Sequence, residues 1–166
     1  IAPKYFPLDL SYQESTQQNI KPCSNLMDIP KELQGNIASI GIGAKFSVGC
    51  SNDGKVYAWG DTRLSKTKDL TNIPTNMGKV IMVDAGYDHA VAVDEKNNVY
   101  VWGNDRLMQG DVPSDIKKHG NIVQIVAGYQ MTLAVTDENY VFFWGNEAVN
   151  DVKIKDEVQG TVEKVA

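Results

Sequence analysis

The sequence predicts an all-β fold built from three copies of one repeated unit. Trp-Gly recurs along the chain at steps of 43 and 42 residues, and glycines earlier in each copy recur at the same steps. A fixed period of this size indicates a stacked or radial repeat architecture. The apolar residues of each copy fall in short β-branched or aromatic runs, which favours strands over helices. The repeated positions are Trp59, Trp102 and Trp144, Gly43, Gly86 and Gly128, and Gly35, Gly78 and Gly120.

Each copy contains three predicted strands. The first run leads to a loop glycine, the second begins three residues after that glycine, and the third ends in Trp-Gly. Five residues before each tryptophan stand Gly54, Asn97 and Asn139, and Gly and Asn tolerate positive φ best. A tight turn is therefore expected there, and Asp53-Gly54 is typical of a two-residue hairpin loop. The unit is predicted to be strand, glycine loop, strand, tight turn, strand and a longer connection.

The longer connection also repeats, as Asp28-Ile-Pro30, Asn72-Ile-Pro74 and Asp111-Val-Pro113. Proline cannot donate to a central strand ladder, so this segment is expected at an outer edge or in a loop. The repeats predict a domain over residues 28–166, with units at about 35–60, 78–103 and 120–145 and the start of a fourth at 160–166. Residues 1–27 do not follow the repeat, and we interpret them as a strand, a linker or a cap.

The pattern Ala-Gly-x-x-His-x-x-Ala-Val followed by Val-Tyr-x-Trp-Gly resembles the repeat of the regulator of chromosome condensation family. The match is strongest over residues 85–102, and the copies over 42–59 and 127–144 carry Phe46 and Met131 at the histidine position. The resemblance implies that each unit is one blade of a β-propeller. The eukaryotic nucleotide-exchange members carry longer blades with a Gly-Gln-Leu-Gly type stretch after Trp-Gly. The shorter blades here look more like bacterial and phage members, among them secreted propellers that inhibit β-lactamases.

The chain length does not decide how such a ring would close. At this period a closed seven-bladed ring needs roughly 300 residues. The 166 residues hold three blades and the start of a fourth. A fragment of a longer protein, a processed chain, or a ring completed by further copies of the chain are all compatible with this length.

Composition argues against several function classes. The net charge is −5 with scattered lysines and arginines, whereas a nucleic-acid binder is expected to show a basic patch or stripe. No apolar run approaches the length of a membrane span. Two histidines and two cysteines lie far apart in the sequence, without metal-ligand spacing, and there is no phosphate-binding glycine loop. We therefore expect no catalytic residues, no metal and no cofactor.

The cysteines allow two interpretations. Cys50 falls in the second strand of the first unit, where Val93 and Val135 stand in the other copies. This position favours a small core residue. The alternative is a disulfide between Cys23 and Cys50, which would attach the N-terminal segment to the first blade.

Several repeated side chains are assigned structural roles. Trp59, Trp102 and Trp144 are expected to pack within the blades. His89 takes a position that also accepts Phe and Met, which favours packing, with a hydrogen bond from its ring to a neighbouring backbone group. His119 follows two lysines and is expected to be solvated.

The candidate partner-binding residues are the two variable positions after each loop glycine. Tyrosine offers rigid contact area at low entropy cost, so it is favoured in binding sites. These positions hold Ala44 and Lys45, Tyr87 and Asp88, and Tyr129 and Gln130.

The sequence favours a non-catalytic binding or structural module that contacts proteins or copies of itself, such as a phage-particle or bacterial surface component. The alternatives are a secreted enzyme inhibitor and, behind it, a nucleotide-exchange regulator of a small GTPase. A virion or extracellular location is favoured over the cytoplasm.

Overall fold

The computed structural model describes residues 29–65, 68–106, 110–146 and 156–165. The described residues do not include the N-terminal segment 1–27, in which Cys23 lies, nor Asp28 and Ala166. Within them the chain forms nine strands and three short 3₁₀ turns. The strands are β1 (Ser39–Ile42), β2 (Phe46–Cys50), β3 (Val56–Gly60), β4 (Val80–Ala85), β5 (His89–Asp94), β6 (Val99–Gly103), β7 (Ile122–Ala127), β8 (Met131–Thr136) and β9 (Val141–Gly145). The 3₁₀ turns are Lys31–Leu33, Ile116–Lys118 and Asp156–Val158.

The strands form three antiparallel sheets, one for each repeat. The sheet orders are β1-β2-β3, β4-β5-β6 and β7-β8-β9, with no crossover within a sheet. The expected all-β fold and its three-strand unit are thus confirmed. The proline-containing connections around Pro74 and Pro113 are irregular, and Pro30 precedes the first 3₁₀ turn.

The turn before each Trp strand has the backbone that the sequence predicts, although the loop is one residue longer than expected. Gly54, Asn97 and Asn139 all have positive φ, between 60° and 88°. In the first blade Gly54 donates its N–H to the carbonyl of Ser51, and Ser51 donates to Lys55 across the loop. This is a three-residue hairpin loop, in which the left-handed residue follows the turn. The expected two-residue hairpin is therefore wrong in length.

The hydrophobic core lies between the sheets rather than within one sheet. Because side chains alternate along a strand, β5 contributes to two cores. Ala90 and Ala92 pack with Phe46 and Val48 of the first blade, while Val91 and Val93 pack towards the third blade. The middle strands β2 and β5 are completely buried. Each blade therefore depends on its neighbours for burial, as expected of a repeat architecture.

The first strands of neighbouring blades are joined by polar side chains. Ser39 Oγ accepts from the N–H of Val83 at 3.1 Å and donates to the carbonyl of Val83 at 3.3 Å. In the next junction, Asp84 Oδ2 accepts from the N–H of Ala127 at 2.7 Å. Burial raises the pKa of the Asp84 carboxyl, and the N–H of Ala127 opposes that shift. We call these contacts the junction hydrogen bonds.

The predicted start of a fourth repeat contacts the third blade through the same kind of hydrogen bond. Gln124 occupies the repeat position of Ser39, and its side-chain amide bonds both the N–H and the carbonyl of Val165, at 2.8 and 2.6 Å. Val165 occupies the repeat position of Val83. The N–H of Gly160 also donates to the carbonyl of Asn139 in the turn of the third blade. The segment 160–165 therefore contacts β7 and the turn of the third blade, without forming a strand in the part of the chain that the structure describes.

The outer face of β1 differs from the equivalent faces of the later blades. Ile40 is 47% exposed, whereas Val83 at the same repeat position is 4% exposed. Val83 is covered by the first blade through the junction at Ser39. Ile42 and Ile37 are exposed on β1 and just before it.

The repeated tryptophans lie inside the blades. Trp59, Trp102 and Trp144 are buried. Trp102 donates its indole N–H to the carbonyl of Leu70 at 2.9 Å, and Leu70 is itself fully buried in the connection after the first blade. The indole ring of Trp102 therefore fills the core and also holds the connection between the first and second blades through a hydrogen bond.

Candidate functional site

The loops that follow β1, β4 and β7 lie at the same end of their sheets as the Trp-Gly ends of β3, β6 and β9. The pairing of Phe46 with Gly60 and of His89 with Gly103 places them there. We call this end the loop rim. It contains all six sequence-predicted binding positions: Ala44, Lys45, Tyr87, Asp88, Tyr129 and Gln130.

The second residue of each loop is held by the residue that follows Trp-Gly. Asp88 accepts from the backbone N–H of Asn104 through its carbonyl, and from the Asn104 side-chain amide through Oδ2 at 2.6 Å. Gln130 and Asn146 repeat both contacts in the third blade. Asp88 and Gln130 therefore help to order the rim and are half-buried. Sequence reasoning missed Asn104 and Asn146, although the recurring Asp or Asn after Trp-Gly was a usable signal.

The first loop residues of the second and third blades form an exposed aromatic pair. Tyr87 and Tyr129 are 52% and 57% exposed, and their rings meet edge to face with centroids 4.9 Å apart. The N–H of Tyr87 donates to the carbonyl of Gly128, which fixes one loop against the next. Ala44 takes the equivalent position in the first blade and is also exposed. We call Tyr87 and Tyr129 the tyrosine pair.

A cleft of about 440 Å³ opens beside the tyrosine pair, between the first and second blades. Its floor includes the fully buried Phe46. It brings together four of the predicted rim positions and the segments that follow the two Trp-Gly ends. Its lining residues are Ala44, Lys45, Phe46, Asp61, Arg63, Leu64, Ser65, Lys68, Tyr87, Asp88, Asn104 and Arg106.

His89 lies directly beneath the loop rim and is fully buried. Its Nε2 lies 3.1 Å from the hydroxyl of Thr132 in the next blade. Burial lowers the pKa of His89, while the nearby Asp88 and a backbone hydrogen bond with Met131 act in the opposite direction. The ring is therefore neutral near pH 7, which suits a packing role better than proton transfer.

His119 is half-buried rather than solvated. Its ring stacks on Tyr140 with centroids 3.9 Å apart and planes 5° from parallel. Phe142 contacts the same two rings. The expectation was wrong because the local sequence is polar, whereas the stacking partner comes from the turn before β9.

Cys50 carries a free thiol inside the core, and burial raises its pKa. Its proposed disulfide partner, Cys23, lies outside the described residues.

Across the described ranges no cluster of three or more His, Cys, Asp or Glu residues could hold a metal ion. No helix in the described part of the chain is long and apolar enough to span a membrane.

Part of the chain matches a known family of repeat proteins. The family model described as the regulator of chromosome condensation (RCC1) repeat matches residues 37–63 and 80–107. No curated protein sequence matches the chain.

Three solved structures have similar folds. The C-terminal domain of gp131 from bacteriophage phiKZ is 18% identical, with 95% of this chain and 46% of that one covered and a TM-score of 0.50. Human WBSCR16 is 20% identical, with coverages of 66% and 35% and a TM-score of 0.53. Prp20p from Saccharomyces cerevisiae is 23% identical, with coverages of 70% and 34% and a TM-score of 0.53.

The chain thus spans about a third to a half of the length of these structures. The two matched ranges begin 43 residues apart and contain the strands of the first and second sheets. Two repeats of the chain match the regulator of chromosome condensation repeat, and its three sheets have the fold of β-propeller blades.

Proposed function

We propose that the chain is a non-catalytic protein-binding module that presents its loop rim to a partner protein. The tyrosine pair is the observation that carries this proposal. Two aromatic side chains, each more than half exposed, are held against each other by loops that the blades fix in place. Exposed tyrosines on a rigid support are typical of binding sites, because little side-chain entropy is lost on contact.

The compared structures support a protein partner in general terms. The yeast structure is described by its binding to Gsp1p and histones, and the phage structure is a domain of a bacteriophage protein. These statements concern those proteins. For this chain they favour an assembly component of a phage particle or a bacterial surface structure. A secreted enzyme inhibitor is the alternative, and its rim would use the same tyrosine pair.

Site-specific photo-crosslinking in the organism that encodes the chain tests the proposal. A photoreactive phenylalanine analogue replaces Tyr87 or Tyr129 in separate variants. The matched control is Val123, which is 53% exposed on β7, away from the loop rim. We expect one protein to be captured from both rim positions and not from Val123.

The captured protein then decides between the two function classes. A structural protein of a particle or cell surface supports the assembly role, and an enzyme supports the inhibitor role. The purified partner should bind the Tyr87→Ala/Tyr129→Ala variant at least about tenfold more weakly than the unchanged chain. Equal capture from Val123, or unchanged affinity of the double variant, would show that the loop rim is not the binding surface.

A further inference from the structure

We propose that the cleft between the first and second blades receives an acidic peptide segment of the partner protein. This inference rests on the proposed function and adds the chemistry of the partner. The cleft opens on the loop rim, and Tyr87 forms part of its lining. A partner that contacts the tyrosine pair would therefore also reach the cleft.

The cleft has a charge opposite to that of the whole chain. The chain carries 21 acidic and 16 basic residues, for a net charge of −5. The cleft lining carries two carboxylates, Asp61 and Asp88, and four cations. The cations are Lys45, Arg63, Lys68 and Arg106. A charged cleft with low-dielectric walls concentrates its field, so a local excess of cations attracts anionic groups despite the negative net charge of the chain.

The cations come from separate elements that only the fold brings together. Lys45 lies in the β1–β2 loop, Arg63 and Lys68 lie in the connection after β3, and Arg106 follows β6. Arg63 and Asp69 pair their backbones in an isolated bridge, which brings these two residues of the connection together. Phe46 and Leu64 add apolar surface between the charged groups. The volume of about 440 Å³ is within the range of ordinary ligand pockets.

Asp88 favours a peptide over a nucleic acid. Its Oδ2 accepts from Asn104, and Asp88 and Asp61 place two carboxylates among the cations of the lining. A peptide main chain brings N–H donors together with acidic side chains, so it suits a wall that mixes cations with carboxylates. A phosphate backbone brings acceptors only, and Asp61 and Asp88 would repel it.

Fluorescence anisotropy with a labelled hexaglutamate peptide tests the inference on the full chain. Labelled hexalysine and oligothymidylate serve as the comparison probes. The cleft variant is Lys45→Glu/Arg106→Glu, and the control variant is Lys31→Glu/Lys96→Glu, which makes the same change in net charge at exposed sites outside the cleft lining. Thermal melts establish that each variant is folded, and Lys45→Gln/Arg106→Gln replaces the cleft variant if charge reversal prevents folding.

We expect hexaglutamate to bind the unchanged chain and the control variant with similar affinity. The cleft variant should bind it at least about tenfold more weakly, because two attractive charges become repulsive. Equal loss in both variants would overturn the inference, since binding would then follow net charge alone. Absence of hexaglutamate binding up to about 1 mM, the limit of useful affinity, would also overturn it. Tighter binding of oligothymidylate would replace it with a nucleic-acid site.

Failure of this inference is distinguishable from failure of the proposed function. If the crosslinked partner contacts Tyr87 and Tyr129 but binds the cleft variant with unchanged affinity, only the acidic-peptide inference is wrong. If no partner is captured from the tyrosine pair, the proposed function fails whatever hexaglutamate does.

Discussion

Replacing Gly86 with alanine should destabilise the protein far more than the same change at Gly128. Both glycines occupy one repeat position, immediately before the tyrosine pair. A Cβ atom on Gly86 would lie 2.5 Å from the carbonyl oxygen of Gly128 and 2.6 Å from Cε1 of His89. Neither neighbour can yield easily, because one is backbone and the other is a fully buried ring. A Cβ on Gly128 would come closest to Cγ of the flexible Met131, at 3.2 Å, and the other Met131 atoms near it lie at ordinary contact distances of 3.8 and 3.9 Å.

These distances set the expected magnitudes. Overpacking a rigid site costs about 1–3 kcal/mol, and two contacts far below van der Waals distance put Gly86→Ala near the upper end. For Gly128→Ala, lower entropy of the unfolded chain contributes about 0.4–1 kcal/mol of stability and offsets the small repacking of Met131. The two variants should differ by about 3 kcal/mol. For a domain of this size that difference corresponds to ~8 °C in Tm.

Urea denaturation followed by tryptophan fluorescence measures the free energy of unfolding of both variants, and circular dichroism measures Tm. Gly43→Ala is an internal replicate, because its Cβ would lie 2.5 Å from the carbonyl oxygen of Gly86. Equal effects of Gly86→Ala and Gly128→Ala would refute the reasoning, since the glycine would then act within its own loop rather than through the next blade. A neutral Gly86→Ala would refute the close approach of the two loops.

Three further outcomes are expected. Burial lowers the pKa of His89 in the folded state, so below the ordinary histidine pKa of 6.5 the unfolded chain binds more protons than the folded chain. The free energy of unfolding should therefore fall as the pH drops from 7 towards 5.5. Urea titrations of His89→Phe should lose this part of the pH dependence. Val83→Ala should cost about 2 kcal/mol and Ile40→Ala about 1 kcal/mol, because Val83 is 4% and Ile40 47% exposed; a larger cost at Ile40 would mean that its face is covered in solution. Gln124→Ala should cost about 1 kcal/mol and increase amide exchange at Val165, whereas unchanged exchange would contradict a junction hydrogen bond there.

The fold could be predicted from the sequence because its determinants are local and repeated three times. Positive φ at Gly54, Asn97 and Asn139 follows from the few residue types that accept it, and this prediction is confirmed. The length of the turn was wrong, because Asp53-Gly54 occurs in both two-residue and three-residue loops, and the strand register decides between them.

The candidate site was only partly predictable. The loop positions could be found from their variability among the copies, but the contact between Tyr87 and Tyr129 depends on how closely neighbouring blades stack. The cleft needs Arg63 and Arg106 to come together from different connections, which no periodicity indicates. His119 shows the same limit, since its stacking partner Tyr140 is 21 residues away in the chain.

The junction hydrogen bonds make the blades non-interchangeable. A short serine at position 39 can reach Val83 only where the first strands approach closely, and Gly41 beside it leaves no room for a Cβ against Asp84. Gln124 spans to Val165 with a longer side chain, while Met82 cannot form such a bond and its blade uses Asp84 instead. Each junction therefore uses a different side chain to reach backbone groups of the neighbouring first strand. Because these side chains differ in length, a shuffled order of the same three blades would change the spacing that each junction requires.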